Sequence, residues 1–261
     1  MAVTKSKIKL IRSLEQKKFR EQHALFIVEG DKTVREALDS SLIVETVLAK
    51  KAWLEQIPYS TLSKVSEIIE INDNELSQIS FMKTPNQALA IVQTPKYALD
   101  ITEITGGLSV YLDRVQDPGN LGAIIRLADW FGISHVICGN GCADPFGVKT
   151  VQSTMGAIIR VKTYKTDVSF FQQLENHLPD FSVYGTFLDG EHLYDAPLSD
   201  NAVIVMGNES KGISDDVAQY VKRRLFIPRY PSAGEATSES LNVATAAAIV
   251  CAEFRRKSIS V

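Results

Sequence analysis

Three short stretches carry the residues best suited to chemistry. The first runs from Asp117 to Arg126, with Asn120 and Arg126 six residues apart. The second is Gly207-Asn208-Glu209-Ser210-Lys211-Gly212, and the third is Ser240-Leu241-Asn242-Val243-Ala244. Amide, carboxylate, hydroxyl and guanidinium groups can bind and orient a polar substrate. A guanidinium stays protonated in proteins, so Arg126 suits pairing with an anion better than taking up a proton. Spacing alone reads the first stretch as a helix capped by Asn120, with Arg126 a surface residue a little under two turns on.

Other chemistries lack their residues. Cys138, Cys142 and Cys251 form an odd, sparse set, and the first two have no further pair of ligands at metal-binding spacing. His23, His135, His177 and His192 are scattered and suggest neither a zinc site nor a catalytic triad. No metal site is expected. Gly139-Asn140-Gly141 invites a dinucleotide-fold reading, but no third glycine follows at the right offset. Asp144-Pro145 interrupts where a phosphate-binding helix would begin. We read the segment as a turn, which counts against a nucleotide-dependent oxidoreductase.

The elements that must position these residues belong to the α/β class. The apolar run Ala202–Met206 ends at Gly207, and Leu225-Phe226-Ile227 ends at Pro228. Buried parallel strands read this way when they pass the chain to loops at their carboxyl ends, and such loops build ligand sites in open α/β sheets. Ser240 opens an Ala-rich helix that reaches about Arg256. Further strands are expected at Leu108–Leu112, His135–Cys138 and Ser182–Leu188, with a helix over Val168–Leu178. Residues 5–95 read as a small α/β module: a basic amphipathic helix, strands near Leu25–Val28, Ile43–Leu48 and Ala88–Val92, and helices at Asp31–Ala37 and Asp73–Ile79. Pro95–Gly107 is the linker candidate, giving domains over 1–95 and 108–261 with 96–107 between them.

The chain has 261 residues, 45% of them hydrophobic, enough to bury a real core. Its formal charge of −3 argues against a protein that coats nucleic acid by charge alone. Within the first twenty residues, however, Lys5, Lys7, Lys9, Arg12, Lys17, Lys18 and Arg20 face only Glu15. That face is either plainly solvated or phosphate-binding. No apolar run has the length of a membrane span, and no signal peptide is apparent, so a cytoplasmic protein with reduced thiols is expected.

Asp117–Arg126, Gly207–Gly212, and Ile227-Pro228 followed by Ser240-Leu241-Asn242-Val243 resemble motifs 1, 2 and 3 of the SpoU (TrmH-type) RNA 2′-O-methyltransferases of the SPOUT superfamily. Lys149–Ile159 resembles a segment that lines the RNA side of the site in that family. The resemblance implies a carboxyl-terminal parallel sheet with a deep trefoil knot, S-adenosylmethionine as cofactor and a homodimer formed through the knotted region. It places Asn120, Arg126, Glu209, Ser240 and Asn242 in catalysis, and Thr186, Leu188, Gly207, Ile227 and Leu241 against the cofactor. A non-catalytic RNA-binding protein on the same fold would have altered some of the five catalytic residues, and all are present. The span Arg229–Glu239 is longer than the family's usual loop. Lys17-Lys18-Phe19-Arg20 leading to Phe26-Ile27-Val28-Glu29-Gly30 resembles the substrate-binding domain ahead of many such enzymes, a fold similar to a ribosomal protein that binds kinked RNA. Lys17, Lys18, Arg20 and Arg126 are thereby expected to contact RNA, with ribosomal RNA ranked ahead of transfer RNA.

Overall fold

The β-branched runs of the first ninety or so residues pair into a mixed sheet in the computed structural model, which describes residues 3–230 and 240–258. Its strands are β1 (Leu25–Glu29), β2 (Val44–Ala49), β3 (Glu67–Glu70) and β4 (Ala88–Gln93), in the order β1-β4-β2-β3. β4 runs antiparallel to β1 and β2, while β3 runs parallel to β2. The nearly continuous apolar runs of β1 and β4 are buried, whereas β3 is a largely exposed edge whose Glu67 and Glu70 discourage further strand pairing. The basic segment forms two helices, Lys5–Ser13 and Lys17–His23, where one was expected. Thr4 caps the first by accepting from the Lys7 nitrogen at 3.2 Å, and Ala24, in left-handed backbone, ends the second. Ile11 and Leu14 pack with Leu25, Ile27, Leu76 and Ile79 in the core beneath the sheet.

The second sheet is parallel throughout. It comprises β5 (Leu108–Leu112), β6 (His135–Cys138), β7 (Lys162–Lys165), β8 (Ser182–Phe187), β9 (Glu191–His192), β10 (Ala202–Met206) and β11 (Arg223–Phe226), ordered β7-β6-β5-β10-β8-β11-β9. β5 and β10 are buried along their whole length, as expected of strands covered on both faces. Tyr111, Ile137, Phe170, Phe171, Val203 and Val205 share a core on one face. Ile101 and Ile104, from a short helix inside the expected linker, join the same core. Because the strands are parallel, the segments after Leu112, Phe187, Met206 and Phe226 all leave from one edge.

The chain divides into two compact units, Met1–Lys96 with Asp144–Ile159, and Tyr97–Ala143 with Arg160–Val261. The segment 144–159 thus lies in the second half of the sequence but packs within the first unit. There the Phe146 ring meets Phe26 with centroids 5.0 Å apart, and the helix Val148–Thr154 lies on β1. Asp144 Oδ2 accepts from Arg20 Nε at 3.0 Å and Nη2 at 2.7 Å. Arg20 Nη1 donates to the carbonyls of Leu14 and Glu15 at 2.8 and 2.7 Å. Only 6% of Arg20 is exposed, so its expected contact with RNA is corrected: the guanidinium is spent inside the fold and has no face left for a phosphate. Lys17, 60% exposed and 3.7 Å from Glu21, stays on the surface, as does Lys18. Among the described residues no helix is long and apolar enough to cross a membrane.

Phe146→Ala is expected to destabilise the first unit by about 3–5 kcal/mol, the usual cost of deleting a buried aromatic ring. Urea unfolding followed by far-ultraviolet dichroism measures it. A loss below about 1 kcal/mol would mean that 144–159 is not a structural part of that unit.

Candidate active site

The three stretches singled out by their chemistry converge on one side chain. The helix Pro118–Trp130 starts differently from expectation: Asp117, not Asn120, is its cap, accepting from the Asn120 nitrogen at 2.8 Å, with Pro118 in the first turn. Asn120 is therefore released from capping and its amide faces outward from the first turn. Its Nδ2 donates to Glu209 Oε1 at 2.6 Å, and its Oδ1 accepts from Asn242 Nδ2 at 2.9 Å. An amide is the side chain that can donate and accept from neighbouring atoms, so one residue joins loops after β5, β10 and β11.

Each partner is held in turn. Glu209 rides on a tight turn in which Asn208 Oδ1 accepts from the nitrogens of Ser210 and Lys211 at 3.0 and 3.1 Å. The Asn208 and Gly212 backbones exchange hydrogen bonds of 3.0 and 2.8 Å, closing the loop. A Cβ on Gly207 would sit 2.5 Å from the Ile213 nitrogen, so glycine is required by the loop's own backbone. Asp113, 4% exposed at the end of β5, accepts from the Ser214 nitrogen at 2.6 Å and anchors the far side of that loop. The last helix, Val243–Ser258, is capped by Asn242, whose Oδ1 accepts from Ala244 at 3.0 Å and Thr245 at 3.3 Å. Ser240, expected to open that helix, instead lies just before the cap and donates from Oγ to the Glu209 carbonyl at 3.3 Å.

Among the expected catalytic residues, the structure thus brings together Asn120, Glu209, Ser240 and Asn242. Arg126 is exposed further along the helix from Asn120. The expected cofactor residues fall on adjacent strand ends. Register pairs Val205 with Gly185 and Phe226 with Phe187, which sets Thr186, Leu188, Gly207 and Ile227 beside one another at the carboxyl edge. Leu188 is 72% exposed there, and Leu241, just before the last helix, is 46% exposed. Of the long loop 229–239, residues 231–239 lie outside the described residues. Asp113, Asp117 and Asn208 went unassigned in the sequence reading. The signal was an acidic residue straight after a strand, another just before proline, and an asparagine opening a turn.

Among the described residues no cluster of three histidines, cysteines or acidic residues is placed to hold a metal. The Cys142 thiol donates to the Leu112 carbonyl at 3.2 Å, and burial pushes its pKa up to about 11, far from a reactive thiolate.

Residues 107–252, which hold all three stretches, match the model of the SpoU rRNA Methylase family. The chain belongs to that family. Residues 5–90 match the MRM3-like substrate binding domain. Over 251 residues the chain is 33% identical to the Bacillus subtilis 23S rRNA (guanosine(2553)-2′-O)-methyltransferase RlmP, covering 95% of this chain and 96% of that protein. The solved structure of an S-adenosylmethionine-bound rRNA methyltransferase from Sinorhizobium meliloti is 31% identical, with a TM-score of 0.87 over 100% of this chain and 98% of that one. A TrmH-family structure from Porphyromonas gingivalis has 37% identity and a TM-score of 0.87, covering 98% of this chain and all of its own. The α/β reading of this half therefore holds for family and parallel sheet.

Asn120→Asp should remove the donor to Glu209 and set two carboxylates in contact, costing about 2 kcal/mol. At the usual scaling that lowers the thermal midpoint by roughly 4–8 °C. Calorimetry checks this, and a variant melting within a degree of the parent would show that the three loops hold together without the amide.

Proposed function

We propose that this protein transfers a methyl group from S-adenosylmethionine to a ribose 2′-hydroxyl of ribosomal RNA. The observation that carries the reading is the closure of all three family motifs on the Asn120 amide at the carboxyl edge of a parallel sheet. When bound, S-adenosylmethionine supplies an electrophilic methyl group. The chain's residues hold the ligands and help the acceptor oxygen lose its proton. Thr186, Leu188, Gly207, Ile227 and Leu241 would hold the cofactor. Rigid backbone at strand ends suits this task because positioning alone can lower a barrier by about 7–11 kcal/mol in favourable cases.

Arg126 pairs with an RNA phosphate and, by its charge, favours ionisation of the neighbouring hydroxyl. Ser240 and Asn242 orient the ribose, while Glu209 is fixed by Asn120 and in turn fixes the loop that carries it. Lys17 and Lys18, exposed on the second helix, contribute phosphate contacts from the first unit. By family expectation the second unit is knotted and pairs with a second copy through the knot. A reducing, cytoplasmic setting agrees with three free cysteines, two of them buried. Ribosomal RNA ranks ahead of transfer RNA because the first unit is of the substrate-binding type found with an rRNA family, and because the Bacillus subtilis relative modifies 23S rRNA.

Arg126→Ala is expected to abolish methyl incorporation into rRNA transcripts while S-adenosylmethionine affinity stays within about twofold, since its partner is the RNA. Arg126→Lys should recover little, because lysine keeps the charge and loses the planar fork. Titration calorimetry and tritiated methyl incorporation read the two arms. Full activity in either variant removes Arg126 from catalysis, and failure of the parent to bind S-adenosylmethionine would leave an RNA-binding protein on the same fold.

A further inference from the structure

Arg114 is held in a backbone conformation that costs an arginine free energy and a glycine none. It follows β5 with φ +58°, one of four non-glycine residues with positive φ among the described residues. Strain of this kind persists where the surroundings impose it, and it gathers at functional sites. The surroundings here are specific. The Arg114 carbonyl accepts from Asn208 Nδ2 at 3.0 Å, which ties it to the loop that carries Glu209. Gly141, itself at φ +81°, packs on the arginine's stem, and a Cβ there would lie 3.2 Å from Arg114 Cγ. The Gly139-Asn140-Gly141 turn, which lacks a phosphate-binding fingerprint, thus seats a side chain.

That side chain ends in a charge the protein does not fully use. Asp113 Oδ1 lies 3.6 Å from Arg114 Nε, outside hydrogen-bond range, while Asp113 Oδ2 is occupied by the Ser214 nitrogen at 2.6 Å. Arg114 Nε is buried and has no hydrogen-bond partner among the described residues, yet a third of the side chain, 33%, reaches solvent. We propose that Arg114 is a phosphate-binding residue that grips the RNA backbone beside the acceptor nucleotide, an inference that rests on the functional reading above. A guanidinium presents a planar fork to two phosphate oxygens, and the third of this side chain that reaches solvent is the part free to offer it. Placement favours RNA over the cofactor's carboxylate. In the sheet β5 lies on the side of β10 away from β8 and β11, whose ends carry Thr186, Leu188 and Ile227. It leads instead into the helix of Asn120 and Arg126.

Arg114→Gly is the discriminating variant, because glycine adopts the left-handed backbone freely and the fold is kept. The probes are S-adenosylmethionine and in-vitro-transcribed 23S rRNA. The variant is expected to stay folded, by far-ultraviolet dichroism, and to bind S-adenosylmethionine within twofold. Its affinity for the transcript should fall roughly tenfold or more, as for loss of one charge-assisted contact. The log–log salt dependence should flatten by about 0.7–0.9. Arg114→Lys should keep most of the salt slope and recover only part of the affinity. Unchanged RNA affinity and slope in Arg114→Gly, or a loss confined to S-adenosylmethionine binding, overturns the proposal. A parent protein that binds neither probe overturns the functional reading and this inference with it.

Discussion

The site depends on a single amide. Asn120 donates to Glu209 and accepts from Asn242, and no charged side chain could do both at once. The consequence reaches back to how the helix begins. A helix of this kind needs a cap, and if Asn120 supplied it the amide would be turned onto its own backbone. Asp117 takes that duty, which leaves Asn120 able to reach across to two other loops. Two further asparagines divide their side chains in a similar way. Asn208 folds its own turn with the oxygen and holds Arg114 with the nitrogen. Asn242 caps the last helix with its oxygen and reaches Asn120 with its nitrogen.

Parallel pairing makes that meeting possible. β5, β10, β8 and β11 are neighbours in the sheet, so residues far apart in sequence emerge side by side at one edge. The loops are then fixed by contacts that leave little room for side chains. Gly207 lies against the backbone of Gly212 and Ile213, and the buried Asp113 carboxylate pins Ser214. A site assembled in this way is stiff before any ligand arrives, which suits a reaction whose main demand is alignment.

Much of this was legible in the sequence because the informative residues were punctuation. Gly207 and Pro228 end apolar runs; the first is β10, and the second overlaps β11 at Leu225 and Phe226, with Ile227 just beyond the strand. The segment Asp73–Ile79 was read as a helix with the bounds it has. Strands β3, β7 and β9 were not foreseen: each is short, and Glu67–Glu70 and Lys162–Lys165 carry charges at both ends. Helix caps were misplaced by two or three residues because asparagine, aspartate and serine are all good caps, and only geometry decides among neighbours. Arg20 was misread for a different reason. A basic run looks solvated, and nothing local to it announces that Asp144, more than a hundred residues on, will draw one arginine inside.

The grouping of residues 144–159 with the first ninety-six has a consequence for how the molecule comes into being. A chain leaves the ribosome from its amino terminus, and domains commonly fold as they emerge. Here the first sheet can pair early, but β1 stays without the helix Val148–Thr154, and Phe26 without Phe146, until synthesis has passed residue 159. By then β5, β6 and the helix bearing Asn120 already exist as chain. The amino-terminal unit is therefore the first to be started and not the first that can be finished, so the two units must mature together during synthesis.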